Sequence, residues 1–409
     1  MKRALLVAVA GLVVACGQDP TTRTDLGNYR LFLRDYSSIS VADATSGRIL
    51  SSLPAGVQTP DWSRVYAVSG SNLLALDRIS GQTLAEVRLP GPYQIPFPST
   101  PLAAVSPNGR WVALSRWDSR DSAPGIGASH FAVIDGERKS LSQQVDLKGY
   151  WTVDAVSNDG RWLYLIENLA AGYRVRLYDL AAGALNPTVV ADPHDLDAPM
   201  TGDRMDSVAS PDGTWIYSLY ATAGGAFIHA LPVGSGSTSA DCIDLPGISS
   251  RYAMTLTING DGTRLYVTDG LAETVREVMP PGAGGTGKVA RSLHVPPQGT
   301  AFNPFLIDAE ASGPGDGLGS GMHSVLTSNG LLYFPLGAGI AAVDVKTWRA
   351  RGRYLGSHQL RTLALSSDGR WMYGVTQTQH LIRIDPGRGQ LVQDLRNGPW
   401  SLQLERVEV

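Results

Sequence analysis

The chain has 409 residues, of which 17% are charged and 43% are apolar, and its formal net charge is −3. This balance excludes a conventional nucleic-acid-binding surface, because such a surface requires a strongly basic face. The 46 glycines and 25 prolines favour many turns over long helices. A chain of this length is expected to form two or three domains unless its sequence is repetitive.

The N-terminus has the form of a targeting segment. Lys2 and Arg3 precede an apolar run over residues 4–14, which is too short to cross a bilayer as a helix. The run ends in "VVAC", and this stretch resembles the lipobox of bacterial lipoproteins, in which the cysteine is acylated and becomes the mature N-terminus. An ordinary secretory signal with an incidental cysteine is the alternative. We therefore expect a signal peptide over 1–15 and lipidation at Cys16.

Residues 16–28 are polar and turn-rich, and they are interpreted as a tether between the lipid and the folded domain. Acyl chains attach a protein to a membrane without spanning it. The expected location is the cell envelope outside the cytoplasm, in the periplasm or at the cell surface. The membrane is thus one expected partner, reached through the N-terminal lipid.

One eleven-residue pattern recurs along the chain, and its clearest copy is "SNDGRWLYLIE" over 157–167. Six Asn-Gly or Asp-Gly dipeptides lie at its centre in successive copies, 39 to 68 residues apart. A period near fifty is typical of a stacked or radial array. The dipeptide itself predicts a two-residue hairpin turn in which both central residues have positive φ.

Each unit is predicted to contain four short strands. In the fourth unit these strands cover residues 151–157, 161–167, 173–179 and 186–190. The third strand ends in an aspartate in six units, and this repetition indicates a cap on the following turn rather than catalysis. These residues are Asp43, Asp77, Asp135, Asp179, Asp344 and Asp385. The repeated tryptophans at the start of the second strand predict packing between neighbouring sheets; they are Trp111, Trp162, Trp215 and Trp371.

Eight second strands can be counted, and the alternating segment 400–409 is then left without a partner. This segment is expected to complete the first sheet, because closing the ring removes two exposed sheet edges. The prediction is an all-β protein with a single closed β-propeller over 29–409, built from eight four-stranded blades. Seven blades are the alternative if the first or seventh unit fails to form a full sheet.

The repeat also resembles a known family. "SPDG" followed by an aromatic-rich strand, together with "ALDRISGQTLAEV" over 75–87, resembles the YVTN-type bacterial β-propeller repeat of the WD40/YVTN-like proteins. The likeness extends over nearly all of 29–409, although the second unit has "PDWSR" without the turn glycine. It implies the propeller fold and no particular activity, because propellers carry out many functions.

The long insertions predict where binding occurs. In a four-stranded meander, the second-to-third loops and the blade connections emerge on one face. Four insertions, over 89–100, 117–129, 191–204 and 296–321, are all of these two kinds, and only 279–290 is long on the opposite face. Long loops on a rigid scaffold commonly carry binding sites.

Candidate ligand-binding residues are those that enter the innermost strands from this face. They are Tyr150, Trp151, Arg204, Asp206, Arg251, Tyr252, His323 and Arg361. Arginine and aromatic side chains suit an anionic or ring-bearing ligand. Asp192, Asp195 and Asp197 are weak candidates for a calcium site, because their spacing matches no EF-hand loop. No other cofactor and no catalytic set is predicted.

Two functions remain open. The favoured hypothesis is a non-enzymatic, membrane-anchored binding scaffold for a protein or small-molecule partner. The alternative is a propeller hydrolase resembling the lactonases, with its site at the channel mouth. A pyrroloquinoline-quinone enzyme is disfavoured, because the docking repeat and the vicinal cysteine pair of that family are absent from the sequence.

Overall fold

A computed structural model describes residues 28–35, 37–96, 101–118, 127–194, 199–247, 253–285, 287–295, 323–396 and 403–409. These residues form eight antiparallel sheets, each built from strands that are close in sequence, except that the last strand joins the first sheet. The protein is an eight-bladed β-propeller, as predicted. In the described part, no helix is both long enough and apolar enough to span a membrane.

The first four blades contain the following strands. Blade 1 has β1 (Arg30–Arg34), β2 (Ser38–Asp43) and β3 (Ile49–Pro54). Blade 2 has β4 (Gly56–Gln58), β5 (Arg64–Ser69), β6 (Asn72–Asp77) and β7 (Thr83–Arg88). Blade 3 has the helix α1 (Pro101–Ala104), then β8 (Trp111–Trp117), β9 (Ala128–Asp135) and β10 (Ser140–Lys148). Blade 4 has β11 (Trp151–Val156), β12 (Trp162–Leu169), β13 (Gly172–Asp179) and β14 (Ala184–Val190).

The remaining blades follow the same order from the innermost strand outward. Blade 5 has β15 (Asp203–Ala209), β16 (Ile216–Thr222), β17 (Gly225–Leu231) and β18 (Asp241–Leu245). Blade 6 has β19 (Met254–Ile258), β20 (Leu265–Asp269), β21 (Thr274–Met279) and β22 (Lys288–His294). Blade 7 has β23 (Val325–Leu326), β24 (Leu331–Pro335), β25 (Ile340–Asp344) and β26 (Arg349–Tyr354). Blade 8 has β27 (Leu360–Leu365), β28 (Met372–Thr376), β29 (Leu381–Asp385) and β30 (Gln390–Leu395), and β31 (Gln403–Glu408) ends the chain.

Strand β31 is the innermost strand of blade 1. It pairs antiparallel with β1, from Arg30 opposite Glu408 to Arg34 opposite Gln403. Leu404 and Val407 of this strand are fully buried. The C-terminal strand therefore closes the ring as predicted; residues 400–402 of the predicted strand lie outside the described part.

Blade 3 departs from the regular pattern at its inner edge. Strand β8 is bridged there by Gln94 opposite Ser115 and by Val105 opposite Val112. On β8, the two bridged residues Val112 and Ser115 are three positions apart. Their partners Gln94 and Val105, which take the place of an inner strand, are eleven positions apart, so this segment contains an insertion of eight residues. Pro101 begins α1 within this insertion, where a proline cannot donate to a strand ladder. The helix contacts the inner strands of blades 2, 4 and 5.

The hairpin turns differ from the prediction. Of the two central residues, only the glycine has a positive φ, which is 69° at Gly160. The Gly160 N–H donates to the Ser157 carbonyl (3.0 Å), and Ser157 N donates to the Trp162 carbonyl (2.9 Å). The loop is therefore longer than two residues, and the predicted turn with two positive φ angles is wrong. The Asp159 carboxylate accepts the Arg161 N–H (3.0 Å) and holds the turn in this form.

The repeated polar and aromatic residues have the structural roles that their repetition predicted. Asp179, for example, accepts the backbone N–H groups of Ala181 (2.9 Å) and Ala182 (3.1 Å). A Cβ atom on Gly236 of blade 5 would overlap the Trp162 ring of blade 4. The caps fix the turns, and the tryptophans pack one blade against the next.

Candidate functional site

The channel mouth is the end of the central channel at the face from which the blade connections emerge. The strand order places both ends of each of the four long insertions on this face. Residues 97–100, 119–126, 195–198 and 296–322 lie outside the described part. On the opposite face, the insertion 279–290 contains a short 3-10 helix over Pro281–Ala283. The mouth is consequently bordered by the inner strands and by the ends of these insertions.

Four innermost strands carry a one-residue bulge. The extra residue is Asp154 in β11, Met205 in β15, Arg361 in β27 and Glu405 in β31, because each stands opposite no residue of the neighbouring strand. Bulges redirect side chains and are common beside functional sites. Three of these four residues are charged, so the bulges decide in which direction these charged side chains point from the inner strands.

Arg204 forms an ion pair across two blades. Its Nη2 contacts Oδ1 of Asp154, whose carboxylate is only 1% exposed. Its Nε and Nη2 donate to the Tyr220 hydroxyl at 3.1 and 3.0 Å. The guanidinium carbon also lies 5.6 Å from the Tyr220 ring centroid. Arg204 is therefore held in one position, and its charge is balanced by a buried carboxylate.

An aromatic cluster lies behind this pair. The Tyr220 ring centroid lies 5.9 Å from that of Tyr173, 5.2 Å from that of Phe227 and 6.4 Å from that of His229. Burial, together with the charge of Arg204, lowers the pKa of His229 to about 4. Burial also raises the pKa of the Tyr173 phenol. Both groups are therefore uncharged at neutral pH.

Asp206 is bonded to the backbone of two inner strands, β15 and β19. Asp206 accepts backbone N–H groups from Leu256 (2.9 Å) and Ser207 (2.8 Å). Burial raises the pKa of the Asp206 carboxyl, and the nearby His323 and the two hydrogen bonds oppose this rise. Inner strands that are far apart in the sequence thus place a carboxyl group and an imidazole in one electrostatic environment.

A row of hydroxyl groups continues the wall towards blade 7. Thr255 Oγ1 lies 2.7 Å from Thr268 Oγ1 and donates to Ser324 Oγ at 2.7 Å. Thr257 also contacts the Ser324 hydroxyl. Hydroxyls are both donors and acceptors, so this part of the wall can adapt to either kind of ligand group.

The two predicted aromatic residues of blade 4 have different surroundings. Trp151 is buried in the core between blades 3 and 4, and its indole N–H donates to the Lys148 carbonyl (2.8 Å). Tyr150 is half-buried, and its ring centroid lies 6.1 Å from that of Trp117. Little of the Trp151 ring remains for a ligand, whereas the pair of Tyr150 and Trp117 borders the mouth.

The other predicted residues divide in the same way. Arg361 is half-buried at the bulge of β27, whereas Arg251 and Tyr252 lie outside the described residues. Arg204 and Asp206 lie on β15 of blade 5, and His323 lies two residues before β23 of blade 7, with the inner strand of blade 6 between them. Whether any of them binds a ligand remains a prediction.

Asp192 of the acidic loop is bonded to backbone groups. Asp192 accepts the backbone N–H groups of His194 and Cys242, both at 2.8 Å. Burial raises the pKa of Asp192, but these hydrogen bonds outweigh it and hold the pKa below its usual value. Asp195 and Asp197 lie outside the described residues, among which no group of three potential ligands meets. Asp192 therefore links blade 4 to the outer strand of blade 5.

Sequence reasoning did not find Asp154, Tyr220 or Ser324. One signal was available for Asp154, because it is a carboxylate in the otherwise apolar second half of "WTVDAV". Such a residue in a predicted inner strand requires a buried partner. Nothing in the spacing identifies that partner as Arg204, which lies fifty residues further on.

Comparison with known proteins establishes the fold and no more. No protein-family profile and no curated protein matches the sequence. The solved structure of the dihydro-heme d1 dehydrogenase NirN in complex with DHE is similar, with a TM-score of 0.52 and 16% identity over 90% of this chain and 72% of that chain. Apo AztD from Citrobacter koseri gives a TM-score of 0.52 and 13% identity over 93% and 97% of the two chains. The chain is a β-propeller protein. The finer resemblance to the YVTN repeat remains a prediction for this propeller.

Proposed function

We propose that this propeller is an extracytoplasmic binding protein, anchored to a membrane through Cys16, that takes its ligand at the channel mouth. The observation that carries the proposal is that Arg204 and Asp206 of β15, and His323 two residues before β23, lie at the inner strands of blades 5 and 7 at the face with four long insertions. A rigid wall of fixed charges bordered by long loops is a common arrangement for ligand binding.

The composition of the mouth favours an anionic, ring-bearing ligand. The pair of Tyr150 and Trp117 offers aromatic surface, and the half-buried Arg361 adds a guanidinium group to the wall. The solved neighbour NirN is in complex with DHE and its name specifies a heme d1 substrate, which describes that protein. Hemin is a suitable probe for the present propeller, because it combines a flat ring with carboxylates.

The binding proposal is tested with the full-length protein in a thermal-shift assay against hemin and simpler aromatic carboxylates. We expect hemin to raise the melting temperature, and Tyr150→Ala and His323→Ala to reduce its affinity about tenfold each. Arg370→Ala is the matched control, because Arg370 lies in an exposed turn on the opposite face. Equal affinity in all four proteins, or no shift with any probe, contradicts the proposed site.

Anchoring is tested by cell fractionation. The chain has two cysteines, Cys16 and Cys242. A substitution of Cys242 therefore serves as the matched control for a substitution of Cys16. We expect Cys16→Ser to abolish fatty-acid labelling and move the protein from the membrane to the soluble fraction. Cys242→Ser should leave both properties unchanged, because Cys242 lies in the outer strand of blade 5. Membrane association that survives Cys16→Ser contradicts lipid anchoring.

Hydrolysis at the channel mouth is the second candidate. One observation favours it, namely the carboxyl of Asp206, whose pKa burial raises and the nearby His323 partly lowers again. A carboxyl and an imidazole in one wall are the components of general acid–base catalysis. Turnover of lactone or ester substrates by the full-length protein, lost in Asp206→Asn, would favour this function over pure binding.

A further inference from the structure

The seam is the pair of facing surfaces of blades 8 and 1, where the ring is closed. Arg383 of β29 lies in this seam and is only 1% exposed. Its guanidinium carbon lies 5.3 Å from the Tyr373 ring centroid and 5.7 Å from that of Trp371. None of its three side-chain nitrogens has a hydrogen-bond partner among the described residues. A fully buried arginine is thus held between two aromatic rings without a bonded acceptor.

Neighbouring groups add further donors. Trp371 Nε1 and the Tyr373 hydroxyl are buried and also have no hydrogen-bond partner. Gln393 is directly opposite Arg383 in the pairing of β29 with β30. Its Oε1 is a buried acceptor that also has no hydrogen-bond partner among the described residues. A guanidinium has five N–H donors. One amide oxygen therefore cannot satisfy Arg383 together with the indole and phenol groups.

The carboxylates around the seam are engaged elsewhere. Asp368 accepts the Tyr29 hydroxyl (2.8 Å) and the Ser366 hydroxyl (2.6 Å). Asp43 accepts the backbone N–H groups of the turn that follows β2. Among the described residues, no ion pair involves Arg383. Asp368 and Asp43 act electrostatically on the adjacent Tyr373, but no described carboxylate is bonded to Arg383.

The two other buried arginines, Arg34 and Arg276, both have hydrogen-bond partners within the chain. Arg34 is paired with Glu405 (3.1 Å) and donates to the Gly56 carbonyl (2.8 Å). Arg276 donates to Thr274 Oγ1 and the Pro246 carbonyl, both at 3.0 Å. Arginine remains protonated in proteins, and an isolated buried charge is strongly unfavourable. Arg383 therefore requires a partner that the described part of the chain does not supply.

We propose that the seam binds a small monatomic anion, chloride under ordinary conditions, through Arg383, Trp371 Nε1 and the Tyr373 hydroxyl. A water molecule would accept hydrogen bonds but would leave the charge unbalanced. A larger oxyanion is disfavoured, because the donor atoms are closed off from solvent and Tyr29 packs against Tyr373 with ring centroids 5.9 Å apart. The bound ion stabilises the two blades whose contact closes the ring.

The test is thermal unfolding of the full-length protein in chloride and in gluconate at matched ionic strength. A ligand that binds only the folded state raises the melting temperature, and we expect an increase of about 2 °C in chloride. Arg383→Met should lose this chloride increment. Arg276→Met is the matched control, because it removes a buried arginine whose hydrogen bonds are satisfied; it should lower the melting temperature but keep the increment.

Two further measurements keep the proposal testable if Arg383→Met does not fold. Tyr373→Phe removes one hydroxyl donor and should reduce the chloride increment. Crystals grown in bromide should show an anomalous peak beside Arg383 and Trp371. The proposal is overturned if the natural protein melts at the same temperature in both salts and shows no bromide at the seam. It is equally overturned if Tyr373→Phe or Arg383→Met retains the full increment.

Discussion

Removal of residues 403–409 is expected to abolish the cooperative unfolding of the propeller as a single unit. Strand β31 supplies the innermost strand of blade 1 and contacts β27 of blade 8. Its loss exposes the inner edge of β1 and removes the fully buried side chains of Leu404 and Val407. Each of these side chains contributes about 2 kcal/mol through burial.

The truncation also breaks a buried polar network. Arg34 Nε bonds to Glu405 (3.1 Å), Arg34 Nη2 donates to Gln58 Oε1 (2.6 Å), and Gln58 Nε2 donates to Glu405 (3.1 Å). Without β31, Arg34 loses its ion pair with Glu405 and becomes exposed with the inner edge of β1, so the network no longer stabilises blade 1. The combined loss of the two apolar side chains and this network is a large fraction of the stability of a typical domain.

The measurement is urea unfolding followed by both far-ultraviolet circular dichroism and tryptophan fluorescence. We expect the truncated protein to lose the sharp transition or to give different midpoints with the two probes. Deletion of Val409 alone is the control, because this residue lies beyond β31 and is 63% exposed. An unchanged transition after the full truncation would show that closure by β31 does not stabilise the ring.

Arg204→Met is expected to lower the free energy of unfolding by about 3–5 kcal/mol, because it leaves the Asp154 carboxylate buried without its partner. The hydrogen bonds of Arg204 to the Tyr220 hydroxyl are lost as well. The effect is large because Asp154 cannot reach solvent from its bulged position in β11.

The double variant Asp154→Leu/Arg204→Met should recover a large part of this loss. Replacing a whole buried ion pair by apolar residues is often close to neutral, whereas removing one partner is not. Urea midpoints of the two single variants and the double variant give the coupling energy directly. Arg161→Met is the matched control, since its partner Asp179 is a surface carboxylate, and we expect little change. Additive effects of the two substitutions in blades 4 and 5 would contradict the coupling.

The sequence by itself determined the repeating architecture of this protein. The six Asn-Gly or Asp-Gly turns, the aspartates at the ends of third strands and the alternation of 400–409 depend on local backbone geometry. These turn, cap and alternation patterns each depend on a few consecutive residues, so they can be recognised in a single sequence. They were sufficient to predict eight blades, the closure by the C-terminal strand and the packing role of Trp162.

The tertiary structure alone decided which side chains meet. Asp154 and Arg204 are fifty residues apart, and their contact depends on the angle between two blades and on single-residue bulges in β11 and β15. The same holds for Asp206 with His323 and for the unpaired Arg383 in the seam. A one-residue bulge moves every later side chain of its strand to the opposite face of the sheet, so strand alternation alone does not place the residues beyond it. Strand periodicity therefore predicts the ring of sheets, whereas the chemistry of its channel and seam depends on how the sheets pack together.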